Sequence, residues 1–215
     1  MGIALHKRKS SGSTLMTEGT IWKHILLFSI PLILGNMLQQ LYNTVDSIVV
    51  GNSLGSEALA AVGSSSSLIS LLISFSMGAA AGAGVIVSQF IGAQNKKGIH
   101  ESVHTALAIA LILGVVLTVL GITLSPQILR WMGTPDEVMP QSVIYLRLYF
   151  AGLLFSVLYN MASGILNAVG NSKRSLLYLA IASFTNIVLD LLFIPVLKMG
   201  IAGAAIATDI SQVLS

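Results

Sequence analysis

The apolar residues of this chain come in long runs separated by short polar stretches. A bilayer-spanning helix needs about 20 predominantly apolar residues. Five runs meet that need: Ile25–Val50, Leu59–Ile91, Val103–Leu124, Val138–Met161 and Leu176–Leu197. The second is over-long for one crossing, which predicts tilt or a late start. A sixth run, Gly200–Ser215, rises only about 24 Å as a helix, against a hydrocarbon core of about 30 Å. The sixth span is therefore expected to be truncated, and the chain to be part of something longer. The predicted fold class is an all-α integral membrane protein built as a six-helix transmembrane bundle. Residues 1–24 form an N-terminal tail and residues 25–215 the bundle.

The polar stretches orient the bundle. Lys7, Arg8, Lys9, Lys23, Lys96, Lys97, Lys173 and Arg174 fall on one side of the membrane. Arg130 and Lys198 fall on the other, with Arg147 in or near the fourth span. Basic loops stay cytoplasmic, so the N-terminus is inside, and the acids Glu57, Asp136 and Glu137 are outside. The loops SLGSEA and LSPQILRWMGTPDEV face out, while GAQNKKGIHES and AVGNSKRS face in. Trp131 belongs at the headgroup level.

Composition agrees. Only 9% of residues are charged, against about 25% in a soluble domain, and the mean hydropathy is +0.87. The formal charge is +3 and the pI about 9.3. Membrane orientation accounts for the basic residues, so a nucleic-acid partner is excluded. The lack of cysteine excludes disulfides, Cys-ligated zinc and a thiol nucleophile. The N-terminus has no apolar segment and cleavage site of a signal peptide before Ile25. His6 stands where a myristoylation signal carries Ser or Thr. These features suit a multi-pass protein of a bacterial inner (plasma) membrane.

Polar residues within the spans are the candidates for function. Between Ile25 and Val50 the single charged residue is Asp46. An ionisable group there costs at least ~2.5–3.5 kcal/mol on insertion scales and points to function by default. Gln39, Asn43 and Asp46 recur at i, i+4, i+7 and share one helical face, with Asn36 and Gln40 beside it. Ser183, Asn186 and Asp190 repeat the pattern in span five. Gly200, Ala204, Thr208 and Gln212 follow steps of four in span six. Counted from the outer ends of their helices, Asp46, Asp190 and Thr208 lie roughly 6, 8 and 12 Å deep. Three helices thus bring oxygen ligands to a similar level. Two carboxylates, an amide and a hydroxyl suit a proton or a hard cation such as Na⁺. The competing interpretation is that each Asp is simply solvated at a helix end. Asp209 adjoins Thr208 on a different face and receives no role.

Span two carries Ser66, Ser70, Ser74, Gly78 and Gly82, one small residue every fourth position, which reads as a helix-packing stripe. Its serines are secondary candidates for cavity lining. Pro31 removes a backbone hydrogen bond in span one and marks a kink or hinge. Residues 100–104 read HESVH, formally the H-E-x-x-H of a zinc protease. Such a site needs a third protein ligand. His100 and His104 sit at the cytoplasmic start of span three, nearly a bilayer away from Asp190, the natural acidic candidate. A headgroup-level helix start explains them better.

Several stretches taken together carry a family resemblance: SIPLILGNMLQQLYNTVDSIVVGNSLGSEALAAVG, VSQFIGAQNKKG, ILNAVGNSKRS, NIVLDLLFIP and GIAGAAIAT. In this order and spacing the chain resembles the amino-terminal half of the multidrug and toxic compound extrusion (MATE) transporters, from Thr17 to Ser215. The resemblance implies one six-helix lobe of a twelve-helix fold, with the carboxy-terminal lobe missing. It implies a transporter and not an enzyme, exporting organic cations and amphipathic drugs by exchange with H⁺ or Na⁺, without a cofactor. Within the DinF-type branch, the ion or proton site maps onto Asp46, Asn186, Asp190 and Thr208. Tyr145 matches a nearby tyrosine, Pro31 a first-helix proline that bends on protonation, and Gln39 a cavity-lining position. A lipid-linked oligosaccharide flippase of the wider superfamily is the alternative. It wants a basic cavity, for which Arg147 is the one basic residue in or near a span.

Overall fold

The computed structural model describes residues 20–215; most of the N-terminal tail, with His6, lies outside them. Six α-helices follow in chain order: α1 (Ile21–Leu54), α2 (Ser56–Gly92), α3 (Lys96–Trp131), α4 (Met139–Ala168), α5 (Ser172–Leu191) and α6 (Ile201–Leu214). A π-helical turn, Leu192–Val196, extends α5. The first five are long and apolar enough to cross a membrane, while α6 has 14 residues. The all-helical membrane class is therefore as expected.

The helix ends differ from the expected spans, because apolar runs mark the hydrocarbon and not where helical hydrogen bonding stops. The cytoplasmic loop GAQNKKGIHES shrinks to three residues between α2 and α3. Asn95 caps α3, its side chain accepting from the Gly98 N–H at 3.0 Å, and so starts the helix well before Val103. The loop AVGNSKRS also shrinks. Gly170, at φ 81°, closes α4 while the Asn171 N–H reaches the Leu166 carbonyl at 3.0 Å, a left-handed cap that favours glycine.

The largest correction concerns the outer loop LSPQILRWMGTPDEV, half of which is helix. α3 runs through Pro126 to Trp131. Proline has no N–H to offer the carbonyl four residues back, here that of Ile122. Arg147 of α4 supplies the missing donor: its Nε reaches the Ile122 carbonyl at 3.2 Å. The helix tolerates its proline because a neighbour satisfies the freed group. Trp131 at the helix end is 75% exposed.

The core gathers on α4. Half of its most apolar stretch is buried, against 17% in each of α1, α2 and α3, so α4 is the central helix. Leu146, Tyr149, Phe150, Leu153, Val157 and Met161 pack against Leu72 and Ala80 of α2 and Ala106 and Ala110 of α3. A second cluster joins Val49 and Val50, Ala58 and Ala61, Tyr145, and Ala204 and Ala205. Lipid offers no hydrophobic drive for helix association, so close approach at small residues matters instead. A Cβ added to Gly121 would fall 1.9 Å from Phe150, and one added to Gly164 would fall 2.8 Å from the Ala80 carbonyl oxygen.

The expected packing stripe of α2 is thereby corrected. Gly78 and Gly82 have no atom within 4 Å of an added Cβ, and Ser66, Ser70 and Ser74 are exposed on the same side. The face that packs is the neighbouring one, Leu72, Ser76, Ala80, Gly84 and Val87.

Candidate functional site

Four helices enclose a cavity of about 210 Å³ in the half of the bundle that orientation assigns to the outside. α1 contributes Gln39, Asn43 and Asp46, α2 contributes Ser66 and Ser70, α4 contributes Tyr145 and Tyr149, and α6 contributes Thr208 and Gln212. Asp46 and Thr208, expected at one depth from their places along separate helices, thus share a cavity.

Asn186 and Asp190 stand at its wall without lining it. Both are buried, Asp190 at 0% exposure. The Asn186 amide donates to the Thr208 hydroxyl at 3.4 Å, and that hydroxyl donates to the Ala204 carbonyl at 3.1 Å. Tyr145, from α4, is buried as well. α5 holds Asp190 just ahead of the π-helical turn, where Pro195 removes a donor and the Leu197 N–H reaches back to Leu192 at 2.9 Å.

The hydrogen-bond inventory of this cluster is lopsided. Asp46 Oδ1, Asn186 Oδ1, both carboxylate oxygens of Asp190 and Gln212 Oε1 are buried and accept from no protein donor. Buried polar atoms are ordinarily paired, and an unpaired buried charge is expensive. Acceptor oxygens that find no protein donor are completed by cavity water, by a proton on a carboxylate or by a hard cation that takes oxygen ligands.

The other expected residues fall elsewhere. Pro31 lines a second cavity of about 270 Å³ nearer the start of α1, which Gln39 also borders. Asp209 is turned away from Thr208 and set against α4, where a Cβ on Gly152 would lie 1.8 Å from its Oδ1. The glycine is what makes room for the carboxylate. Arg147 is turned to the Ile122 carbonyl and does not line the cavity, which removes the basic group a flippase reading wanted. His100 and His104 are exposed with rings stacked at 4.0 Å, and His104 Nδ1 engages the His100 carbonyl at 2.8 Å. Among the described residues, no three His, Cys, Asp or Glu side chains are placed to hold a metal ion.

Tyr42, Tyr149, Ser156, Tyr159 and Asn160 also line the cavity and were not expected there. The signal for α4 was available: Tyr145, Tyr149, Ser156 and Asn160 recur at i, i+4, i+11, i+15, one helical face. The α2 serines, read first as packing, line the cavity at Ser66 and Ser70.

Comparison with known proteins agrees with this architecture. Residues 31–192 match the MatE family model. The chain is 38% identical over 196 residues to the "Probable multidrug resistance protein YpnP" of Bacillus subtilis, covering 91% of this chain and 44% of that protein. It is 24% identical over 198 residues to the "Multidrug export protein MepA" of Staphylococcus haemolyticus, covering 92% and 44%. Among solved structures, "Crystal structure of MATE in the bent conformation" superposes with a TM-score of 0.86 at 36% identity, covering 91% of this chain and 44% of that one. The chain thus spans less than half the length of these relatives. With the family model matched over most of its residues, the chain belongs to the MatE family of multi-pass membrane transport proteins.

Proposed function

We propose that this chain forms the amino-terminal lobe, of DinF type, of a secondary active multidrug antiporter. The antiporter exports cationic or amphipathic compounds in exchange for H⁺ or Na⁺. It works with a carboxy-terminal lobe in a bacterial plasma membrane, with the N-terminus cytoplasmic. Asp46, Asn186, Asp190 and Thr208 form the ion-coupling site. Gln39, Asn43 and Tyr145 shape the adjoining cavity, and Pro31 is the hinge of α1. The observation that carries the reading is the set of buried acceptor oxygens on Asp46, Asn186 and Asp190 without protein donors.

The mechanism is alternating access. With the outer side open, the carboxylates take up the ion, which completes their missing interactions. Occupancy favours release of the drug and closure of the outer side. With the inner side open the ion leaves and a cationic compound binds. The ion shifts this equilibrium only through its different affinity for the two states.

The test is dye export by the protein expressed from its complete gene and reconstituted in vesicles. An imposed H⁺ or Na⁺ gradient drives export in the wild type. Asp190→Asn abolishes gradient-driven export while leaving the protein folded. Full gradient-driven export by that variant overturns the assignment.

A further inference from the structure

Two more cavities lie nearer the cytoplasmic ends of the helices and share lining residues with the first. One, of about 270 Å³, lies among α1, α4 and α5 and is lined by Pro31, Asn36, Tyr159, Asn167 and Ser172. The other, of about 470 Å³, lies between α2 and α4 beside Gly84 and Ser88. Asn160 borders all three cavities. Ser163 and Asn167 border the lower two, and Ser156 borders the upper one.

These four residues, Ser156, Asn160, Ser163 and Asn167, fall at i, i+4, i+7, i+11 in the cytoplasmic half of α4, a polar file along one side of a largely apolar stretch. Polar side chains at membrane depth are tolerated where they line protein or water and not lipid. The file has hydrogen-bonding capacity left over. Asn160 uses its amide N–H on the Ser156 carbonyl at 2.8 Å, which leaves its own carbonyl oxygen for the cavities. Asn167 Oδ1 is buried without a protein donor. Ser163 pairs with the Ser175 hydroxyl of α5. At the bottom, the Ser172 hydroxyl donates to the Phe28 carbonyl at 3.3 Å, one residue past Leu27, whose carbonyl Pro31 deprives of its helical donor.

We infer that the α4 file Ser156–Asn160–Ser163–Asn167 lines a hydrated path that joins the Asp46 cavity to the cytoplasmic side, with Asn160 as its narrow junction. The path is the route by which the coupling ion leaves inward, and in that sense the inference rests on the antiport reading. The polar groups solvate the ion or a proton-carrying water file at successive levels. Leu, Val or Ala in their places would break it.

Water access along the file is measurable without any transport assay. These 215 residues hold no cysteine, and any cysteine elsewhere in the complete protein is first replaced by serine, so that one introduced thiol is the only reactive one; thiols react as solvated thiolates. The experiment uses single cysteines in the protein expressed from its complete gene, in inside-out vesicles, with a charged membrane-impermeant thiol reagent. Ser163→Cys and Ser156→Cys label from the cytoplasmic side at least tenfold faster than Ser76→Cys, a buried position on α2. Adding Asn160→Leu suppresses labelling at position 156 and leaves it at position 163. Labelling at 163 no faster than at 76 overturns the path, and so does labelling at 156 that is indifferent to Asn160→Leu. Ser163→Cys is a near-isosteric change, so its result stands even where Asn160→Leu lowers expression. Because labelling reads water and not export, the path can fail while antiport at Asp46 and Asp190 stands, and the reverse.

Discussion

Arg147→Met removes the donor that serves the Ile122 carbonyl and keeps an apolar stem of similar length. Its effect depends on Pro126, whose missing N–H leaves that carbonyl open. A hydrogen bond from a charged donor contributes about 1.5–3 kcal/mol. This one is 3.2 Å long and Arg147 is exposed, so the lower figure applies, about 1.5 kcal/mol. For a chain of this size that corresponds to a fall of about 3–6 °C in Tm. Pro126→Ala returns a backbone N–H four residues beyond Ile122. In that background the carbonyl has its helical partner, and Arg147→Met lowers Tm by less than about 2 °C. The assay is thermal unfolding in detergent, followed by the helical circular-dichroism signal, for the wild type, both single variants and the double variant. An equal fall in both backgrounds refutes the reasoning, because it shows that Arg147 acts independently of the gap that the proline leaves.

Two further substitutions probe close approach on α4. Gly152→Ala places a methyl 1.8 Å from Asp209 Oδ1 and destabilises by about 1–3 kcal/mol, as overpacking does; adding Asp209→Ala relieves most of the loss, which the same melts would show. Gly121→Ala meets the Phe150 ring at 1.9 Å and costs a similar ~1–3 kcal/mol, and Phe150→Leu in the same chain recovers stability relative to Gly121→Ala alone.

The number of spans was legible in the sequence because a bilayer imposes one length on every crossing helix. Their ends were not, since the cap at Asn95 and the rescue of Pro126 by Arg147 depend on polar groups outside the apolar run. Depth along a helix is a coordinate that sequence carries directly, which is why Asp46, Thr208 and the Asn186–Asp190 pair could be expected at one level. Rotation about the helix axis is carried less well. On α2 the small residues from Ser66 to Gly82 and the buried row from Leu72 to Val87 are both compatible with helical packing. Only the positions of Gly164 and α4 decide which one turns inward. The same ambiguity hid Asp209, whose place is set by the absence of a side chain at Gly152 on another helix.

The most direct test of the central claim is ion release on ligand binding. The purified protein, expressed from its complete gene, is titrated with a lipophilic organic cation in weakly buffered detergent solution, with a pH indicator and a sodium-selective electrode. The account predicts that the wild type gives up a proton or a sodium ion as the cation binds, and that Asp190→Asn binds the cation and releases neither. Undiminished release from Asp190→Asn would contradict it, because the exchanged ion would then reside somewhere other than among the unpaired oxygens of Asp46, Asn186 and Asp190.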